Sequence, residues 1–250
     1  MEIFFQIPEL LSVSAFSALV VCSFFTSAIT AAFGIGGGVA LLAIMANLMP
    51  AAAVIAIHGA VQLGSNVSRL STLRGFADWK LVLWFSLGSL LGGILGARLA
   101  FAVPSHWLRI AMGLFILYSA WLPFFRLAKS RQSIAFLGSI TAFLAMIVGG
   151  VAPIVYIVVK DFFDDRRGLV ATLAAMISFQ QLYKILLFGF FGFAFNSWWG
   201  LIMLMILTGH LGTMTGRFFL ERISAKRVVP IMRVFLTLMA LRLLYLGVLE

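Results

Sequence analysis

Charge is what this sequence has least of. Only 10% of its 250 residues are charged, 63% are hydrophobic, and the mean hydropathy is +1.12. Water-soluble domains are about half apolar and about a quarter charged. Too little polar surface exists here to face water, so cytosolic enzymes, secreted scaffolds and disordered chains are excluded. Cysteine is nearly absent: Cys22 stands alone inside an apolar run, so no internal disulfide forms and the thiol reads as a small hydrophobe. Acids are scarce as well, 8 Asp+Glu against 18 Lys+Arg, a net charge of +10. The bases sit in short clusters between long apolar runs. That is the signature of cytoplasmic loops rather than of a nucleic-acid-binding surface. No Lys or Arg precedes the first apolar run, and a cleaved signal needs a basic start, so none is expected.

What is present is apolar sequence in membrane-sized pieces. The first run extends from about Leu10 to Met49 and is interrupted at Gly34-Ile35-Gly36-Gly37-Gly38. Ala51 to Leu73, Leu81 to Val103 and Trp107 to Phe125 follow, then a basic linker carrying Arg126, Lys129 and Arg131. The remaining runs are Ile134 to Val159 (interrupted at Gly149-Gly150 and Pro153), Leu169 to Phe193, Trp198 to Leu220 and Val228 to Leu249. A helix needs about 20 residues to cross a bilayer, and eight such runs fit. The expected fold is an all-α polytopic membrane protein with one transmembrane domain. Its halves are about 10–125 and 133–249, joined by linker 126–132.

The halves match one another. A shift of 119 sets Gln62 on Gln181, Phe76 on Phe195, Trp79 on Trp198, Arg98 on Arg217 and Ser105 on Ser224. A shift of 112 sets Gly37-Gly38 on Gly149-Gly150. The shared order is a Gly-broken run, a Gln-bearing helix, a Phe-x-x-Trp loop and an Arg at a helix end. Internal repeats of this kind mark transporters. If each Gly-broken run dips in and returns, three crossings follow and the second half is upside down. The clusters Arg69/Arg74/Lys80, Arg126/Lys129/Arg131, Lys160/Arg166/Arg167 and Arg217/Arg222/Lys226/Arg227 then share one face. If all eight runs crossed, the clusters would split between faces. The positive-inside rule therefore favours two inverted repeats, with basic loops cytoplasmic in a bacterial inner membrane. Both chain ends, with Glu2 and Glu9 at the first, then fall outside. Trp79, Trp198 and Trp199 fit an interfacial belt.

Polar groups inside the runs point to a site. Four glycines in five residues break a helix, since each costs about 1 kcal/mol relative to alanine. Broken backbone at membrane depth must line a cavity or be buried in protein. A helix restarting at Val39 would aim free N–H groups and a positive dipole end at that cavity, which suits an anion. Gly36, Gly37 and Gly38 would do this from one half, Gly149 and Gly150, with Pro153 following, from the other. Close helix packing by small residues is the alternative. No Gly-Lys-Ser/Thr follows, so this is not a phosphate-binding loop. His58, Gln62, Ser65, Asn66 and Arg69 share one helical face, and Ser178, Gln180, Gln181 and Lys184 occupy the partner run. A polar stripe in lipid must face protein or water. Lys184 stands far from either end of its run, and every acid in the chain lies outside the crossings or at their ends. A substrate anion could supply the missing negative charge; snorkelling is the alternative. His210 reads as a packing residue, and Arg98 and Arg217 as interface anchors.

Chemistry is not indicated. His58, His106 and His210 lie in separate runs far from any acid, so no metal site is expected, nor any cofactor. There is no Gly-x-Ser-x-Gly elbow and no intramembrane Asp pair. The chain is not expected to be an enzyme.

At these residues the sequence resembles the TauE/SafE family of bacterial membrane proteins. The likeness spans nearly the whole chain: its length, the runs in two repeats, the Gly34 to Gly38 motif followed by Pro50 and a polar helix, and Gly149-Gly150-Val151-Ala152-Pro153 in the second half. The second motif is less Gly-rich than is common in the family. The resemblance implies export of sulfite or of organosulfonates such as sulfoacetate. The expected partners are a small anion and the lipid bilayer, with no nucleic acid, and a homo-oligomer is a compatible assembly. Candidate substrate residues are Lys184, Gln62, Asn66, Ser65, Gln181, Gln180 and His58, with the two glycine motifs. Transport of another small anion such as a carboxylate, and a non-transporting accessory subunit, are the alternatives.

Overall fold

The computed structural model describes residues 8, 11–33, 36–121, 130–219 and 225–249. Glu2, Glu9, Gly34, Ile35, Arg126, Lys129, Arg222 and Ser224, and the side chains of Arg217, Lys226 and Arg227, lie outside the described residues. The apolar runs fold as helices because lipid leaves a backbone no other way to satisfy its N–H and C=O groups within one segment. Among the described residues there are ten α-helices: α1 (Val13–Phe33), α2 (Gly37–Leu48), α3 (Ala51–Leu73), α4 (Trp79–Ala102), α5 (Ser105–Trp121), α6 (Arg131–Val148), α7 (Ala152–Val159), α8 (Arg166–Phe190), α9 (Trp199–Phe219) and α10 (Ala225–Leu249). Seven are long and apolar enough to cross a membrane, and α2 is a shorter apolar helix. The protein is a polytopic membrane protein. The eight runs become ten helices because glycine breaks the first run of each half, between α1 and α2 and between α6 and α7.

Those breaks are conformational. Gly36 has φ 100 and Gly149 φ 88, a region that side chains rarely adopt. Gly36 and Gly149 lie one residue out of the register that aligns Gly37-Gly38 with Gly149-Gly150. The few acids near helix starts serve as caps. Asp78 accepts from the N–H groups of Lys80 (2.9 Å) and Leu81 (3.1 Å), and Asp165 from those of Arg167 (3.1 Å) and Gly168 (2.8 Å).

Helix pairing follows one scheme used twice. α4 lies along α6, with Gly88, Gly92 and Gly96 facing the backbone of Ala135, Ser139 and Phe143 in turn, so the two run parallel. α1 lies along α9 the same way: Gly212 and Gly216 face Phe24 and Ala28, and Ser23 donates to the Met205 carbonyl at 2.7 Å. These are small-residue seams that let helix backbones approach closely, as membrane helix packing favours. α3 packs on α8 in the opposite sense: Gly59 meets Lys184, while Phe76 just beyond α3 sits under Arg167 at the start of α8. α5 and α10 are also antiparallel, since Gly113 meets Leu244 and Gly247 meets Ile110. Exchanging α1–α5 for α6–α10 thus maps each pairing onto another or onto itself, and α3 and α5 run opposite to their counterparts α8 and α10. The repeats are inverted. The α3–α4 and α7–α8 connections, with Arg74, Lys80, Lys160, Arg166 and Arg167, share one face. The α4–α5 and α8–α9 connections lie on the other. Trp79 and Trp199 are exposed at helix starts, but Trp198 is packed inward, correcting its place in the belt.

Candidate functional site

The glycine breaks bring two helix starts to one place in the interior. α2 runs back from Gly37 toward Met49, antiparallel to α3, so Gly38 comes to lie against Gln62. α7 runs from Ala152 antiparallel to α8, and Gly150, just before its start, lies against His58 of α3. Neither helix start carries a side-chain cap. The leading N–H groups of a helix have no intrahelical acceptor, and the starts of α2 and α7 meet from opposite directions at a cavity of about 60 Å³; in α7 Pro153 lacks an N–H and Ile154 donates to the Val151 carbonyl at 3.0 Å. Its wall takes Gly36, Gly38, His58, Gln62, Asn66 and Arg69 from the first half and Gly150, Pro153, Tyr156 and Gln181 from the second. None of the residues lining it is acidic. A larger vestibule of about 620 Å³ shares Thr30, Arg69, Tyr156 and Leu173 with this cavity and opens past Thr72, Arg166 and Arg167 at the basic face.

The polar side chains are oriented by their own helices. His58 Nε2 lies 2.9 Å from the Gly38 carbonyl. A carbonyl only accepts, so that nitrogen carries hydrogen, and Nδ1, on the far side of the ring, is buried without a partner. Asn66 donates to the Gln62 carbonyl at 2.7 Å. The Gln181 side-chain oxygen is also buried without a partner. Arg69 folds back along α3 with its Nε 3.3 Å from the Ser65 carbonyl, which holds the guanidinium at the junction of the two chambers.

Of the residues expected from the sequence, Gly36, Gly38, Gly150, His58, Gln62, Asn66 and Gln181 line the cavity. Gly37 lies behind the wall, tight against the Thr26 carbonyl. Ser65 is buried beside Arg69. Gln180 turns away and donates to Thr141 of α6 at 3.1 Å, because neighbouring residues on a helix point about 100° apart. Lys184 does not line the cavity: it is wholly buried, and its Nζ donates to the Gly149 carbonyl. His210 packs as expected, its Nδ1 2.7 Å from the Ser68 hydroxyl. Thr30 and Tyr156 join the site unannounced. One lies on α1 just before the first glycine break and the other one turn after Pro153, positions the motifs could have flagged.

The family model for sulfite exporter TauE/SafE matches residues 19–243. The chain belongs to the TauE/SafE family. No match is found among curated proteins or solved structures. TauE/SafE is a family of anion-exporter-type membrane transporters, and the matched span contains both glycine breaks, both polar helices and every residue lining the cavity. In this TauE/SafE chain the cavity offers hydrogen-bond donors and basic groups without carboxylates. No group of three or more His, Cys, Asp or Glu that could hold a metal occurs among the described residues.

Proposed function

We propose that the protein exports a small sulfur oxyanion, sulfite or an organosulfonate such as sulfoacetate, across the bacterial inner membrane by alternating access between its inverted repeats. In this reading the basic face, with its vestibule, is cytoplasmic. The observation that carries it is the convergence of two uncapped helix starts on one acid-free cavity at the repeat interface. The α2 start offers the N–H groups of Gly37 to Val39 and the α7 start that of Ala152, since Pro153 has none and Ile154 donates to the Val151 carbonyl; each adds the positive end of a helix dipole, the ordinary way a backbone binds an anion. Transporters with inverted repeats bind their substrates in such broken helices.

The dimensions favour a small head group. A water needs about 10–15 Å³, so a cavity of about 60 Å³ accepts a few waters or one sulfur with three oxygens. Gln62 and Asn66 supply side-chain donors, and Gln181 faces them from the second half. A sulfonate carrying a tail would extend it toward Arg69 and the vestibule, so the carboxylate of sulfoacetate would meet the guanidinium.

The test is thermal unfolding of purified protein against sulfite, sulfate, thiosulfate, sulfoacetate, taurine, acetate and chloride, followed by flux from liposomes. A ligand of the folded state raises the unfolding temperature as it saturates. A rise with sulfite or sulfoacetate that disappears in Gln62→Leu supports the reading. Acetate alone raising it moves the assignment to carboxylates, and flux absent from liposomes despite binding removes export by this chain alone.

A further inference from the structure

Lys184 has a place in the fold that substrate binding alone does not explain. It is among the largest fully buried side chains, in the last third of α8. Its stem crosses α3 at Gly59, where an added Cβ would come within 2.9 Å of the lysine Cδ. Its Nζ then reaches past that helix to the Gly149 carbonyl. Gly149 ends α6 at the positive-φ turn, and the next residue, Gly150, is cavity wall. Lys184 therefore ties α8 to the turn that closes the cavity. Moving along α8 away from the vestibule, Gln181, Lys184 and Phe188 succeed one another on one face. Phe188 is buried, with its ring 5.1 Å from that of Phe101 on α4, and Phe101 stacks on Phe191 at 5.3 Å.

The repeat relation gives this arrangement meaning. The shift of 119 that sets Gln62 on Gln181 sets Ser65 on Lys184 and Arg69 on Phe188. On α3 the stretch past Gln62 borders open space, since Arg69 lines both chambers. On α8 the equivalent stretch is shut by a lysine tied to a backbone carbonyl and a phenylalanine packed on its neighbour. In inverted-repeat transporters the two ends of the site open in alternation.

We infer that Lys184 is the positioning residue of the gate on the face opposite the basic vestibule, and that its bond to the Gly149 carbonyl keeps that gate shut until an oxyanion in the cavity takes over the Nζ. This rests on the anion-transport reading of the cavity. A buried amine releases an acceptor only for another. A neutral carbonyl is a weaker acceptor than an oxyanion, and the anion would arrive at Gln181, one helical turn away. Cargo thus favours the unlocked state over the locked one, which is the condition for a ligand to shift the equilibrium. Without cargo the bond holds and the membrane does not leak.

The test reads access from each face. Cys22, the sole cysteine, is changed to Ser, and Ile177→Cys places a thiol on the apolar part of the cavity wall. Membranes of both orientations are treated with an impermeant cationic methanethiosulfonate, with and without methanesulfonate as the anion. Labelling is expected from the vestibule face alone in the absence of anion, and at least severalfold faster from the far face once methanesulfonate is added. Lys184→Met should give far-face labelling without anion. Phe188→Ala, which keeps the lysine, should raise the anion-free rate by less, and serves if Lys184→Met does not fold. Far-face labelling that stays at the background rate in the lysine variant, or in Phe188→Ala if that variant must serve, overturns the gate. So does methanesulfonate that binds, by its thermal shift, without changing access. Far-face opening in Lys184→Met with no binding of any anion would keep the gate and remove the cargo reading.

Discussion

Gly38→Ala is the sharpest probe of the cavity because it alters one residue without removing a donor. A Cβ at Gly38 would lie 2.2 Å from the Gln62 side-chain nitrogen and 3.5 Å from its Cδ. Ordinary contact begins near 3.4 Å, so the amide must withdraw by about 1 Å, more than a preorganised site tolerates. The backbone N–H of residue 38 remains. A hydrogen bond to a charged group contributes about 1.5–3 kcal/mol, so losing the Gln62 donor should weaken anion affinity by about 10- to 100-fold. Alanine is the better helix former by about 1 kcal/mol, so the unliganded unfolding temperature should move little. The assay is calorimetric titration of sulfite into wild type, Gly38→Ala, Gln62→Leu and the double variant, with Gly75→Ala as the control, since nothing lies within 4 Å of a Cβ there. If both substitutions act through the same amide, the double variant binds no worse than Gln62→Leu, a strongly non-additive cycle. Unchanged affinity in folded Gly38→Ala, or additive losses, would refute the placement of that amide on the anion.

Three further outcomes are expected. Arg69→Gln should weaken sulfoacetate binding more than sulfite binding, because only the former carries a second charge toward the vestibule; equal losses in the two titrations would count against that pose. Gly92→Val at the α4–α6 seam puts a Cβ 1.8 Å from the Ser139 carbonyl, which backbone cannot yield cheaply; overpacking of this kind costs about 1–3 kcal/mol or more, seen as a lowered unfolding temperature or lost monodispersity. The N–H groups of Gly168 and Arg167 hold the Asp165 carboxyl below its ordinary 3.8. Since the folded value is the depressed one, the cap stabilises above pH 3.8 and its contribution is lost as pH falls further; Asp165→Asn should flatten that part of the acid limb of the unfolding-temperature profile.

The parts of the fold that depend on composition were legible in the sequence. Membrane-length apolar runs leave the chain little choice but helices, and clustered glycine leaves it little choice but to break them. The facing of α3 was legible too, because His58, Gln62 and Asn66 form one stripe and a stripe in lipid must turn inward. What spacing could not convey is which neighbour covers a given face. α8 is bordered by α3, α4, α6 and α7, and side chains one residue apart address different neighbours. Gln181 therefore reaches the cavity while Gln180 goes to Thr141, and Lys184 goes to the Gly149 carbonyl. Arg69 was placed on the α3 stripe and also counted among the basic clusters, but its place between two chambers was not legible. An arginine near the basic end of a helix reads as a topology signal, and only the fold reveals that the same position borders both chambers.

The two parallel seams have a consequence for how such a chain can be divided. α1 rests on α9 and α4 rests on α6, so each half lends one helix to the other and receives one back. Neither half encloses its own interior. A single half made alone would leave a glycine-lined groove where its borrowed helix belongs, and would find that helix only in the other half or in a second copy of itself turned upside down. A chain severed between α5 and α6 should by contrast stay together, because its two fragments are woven through one another along both seams.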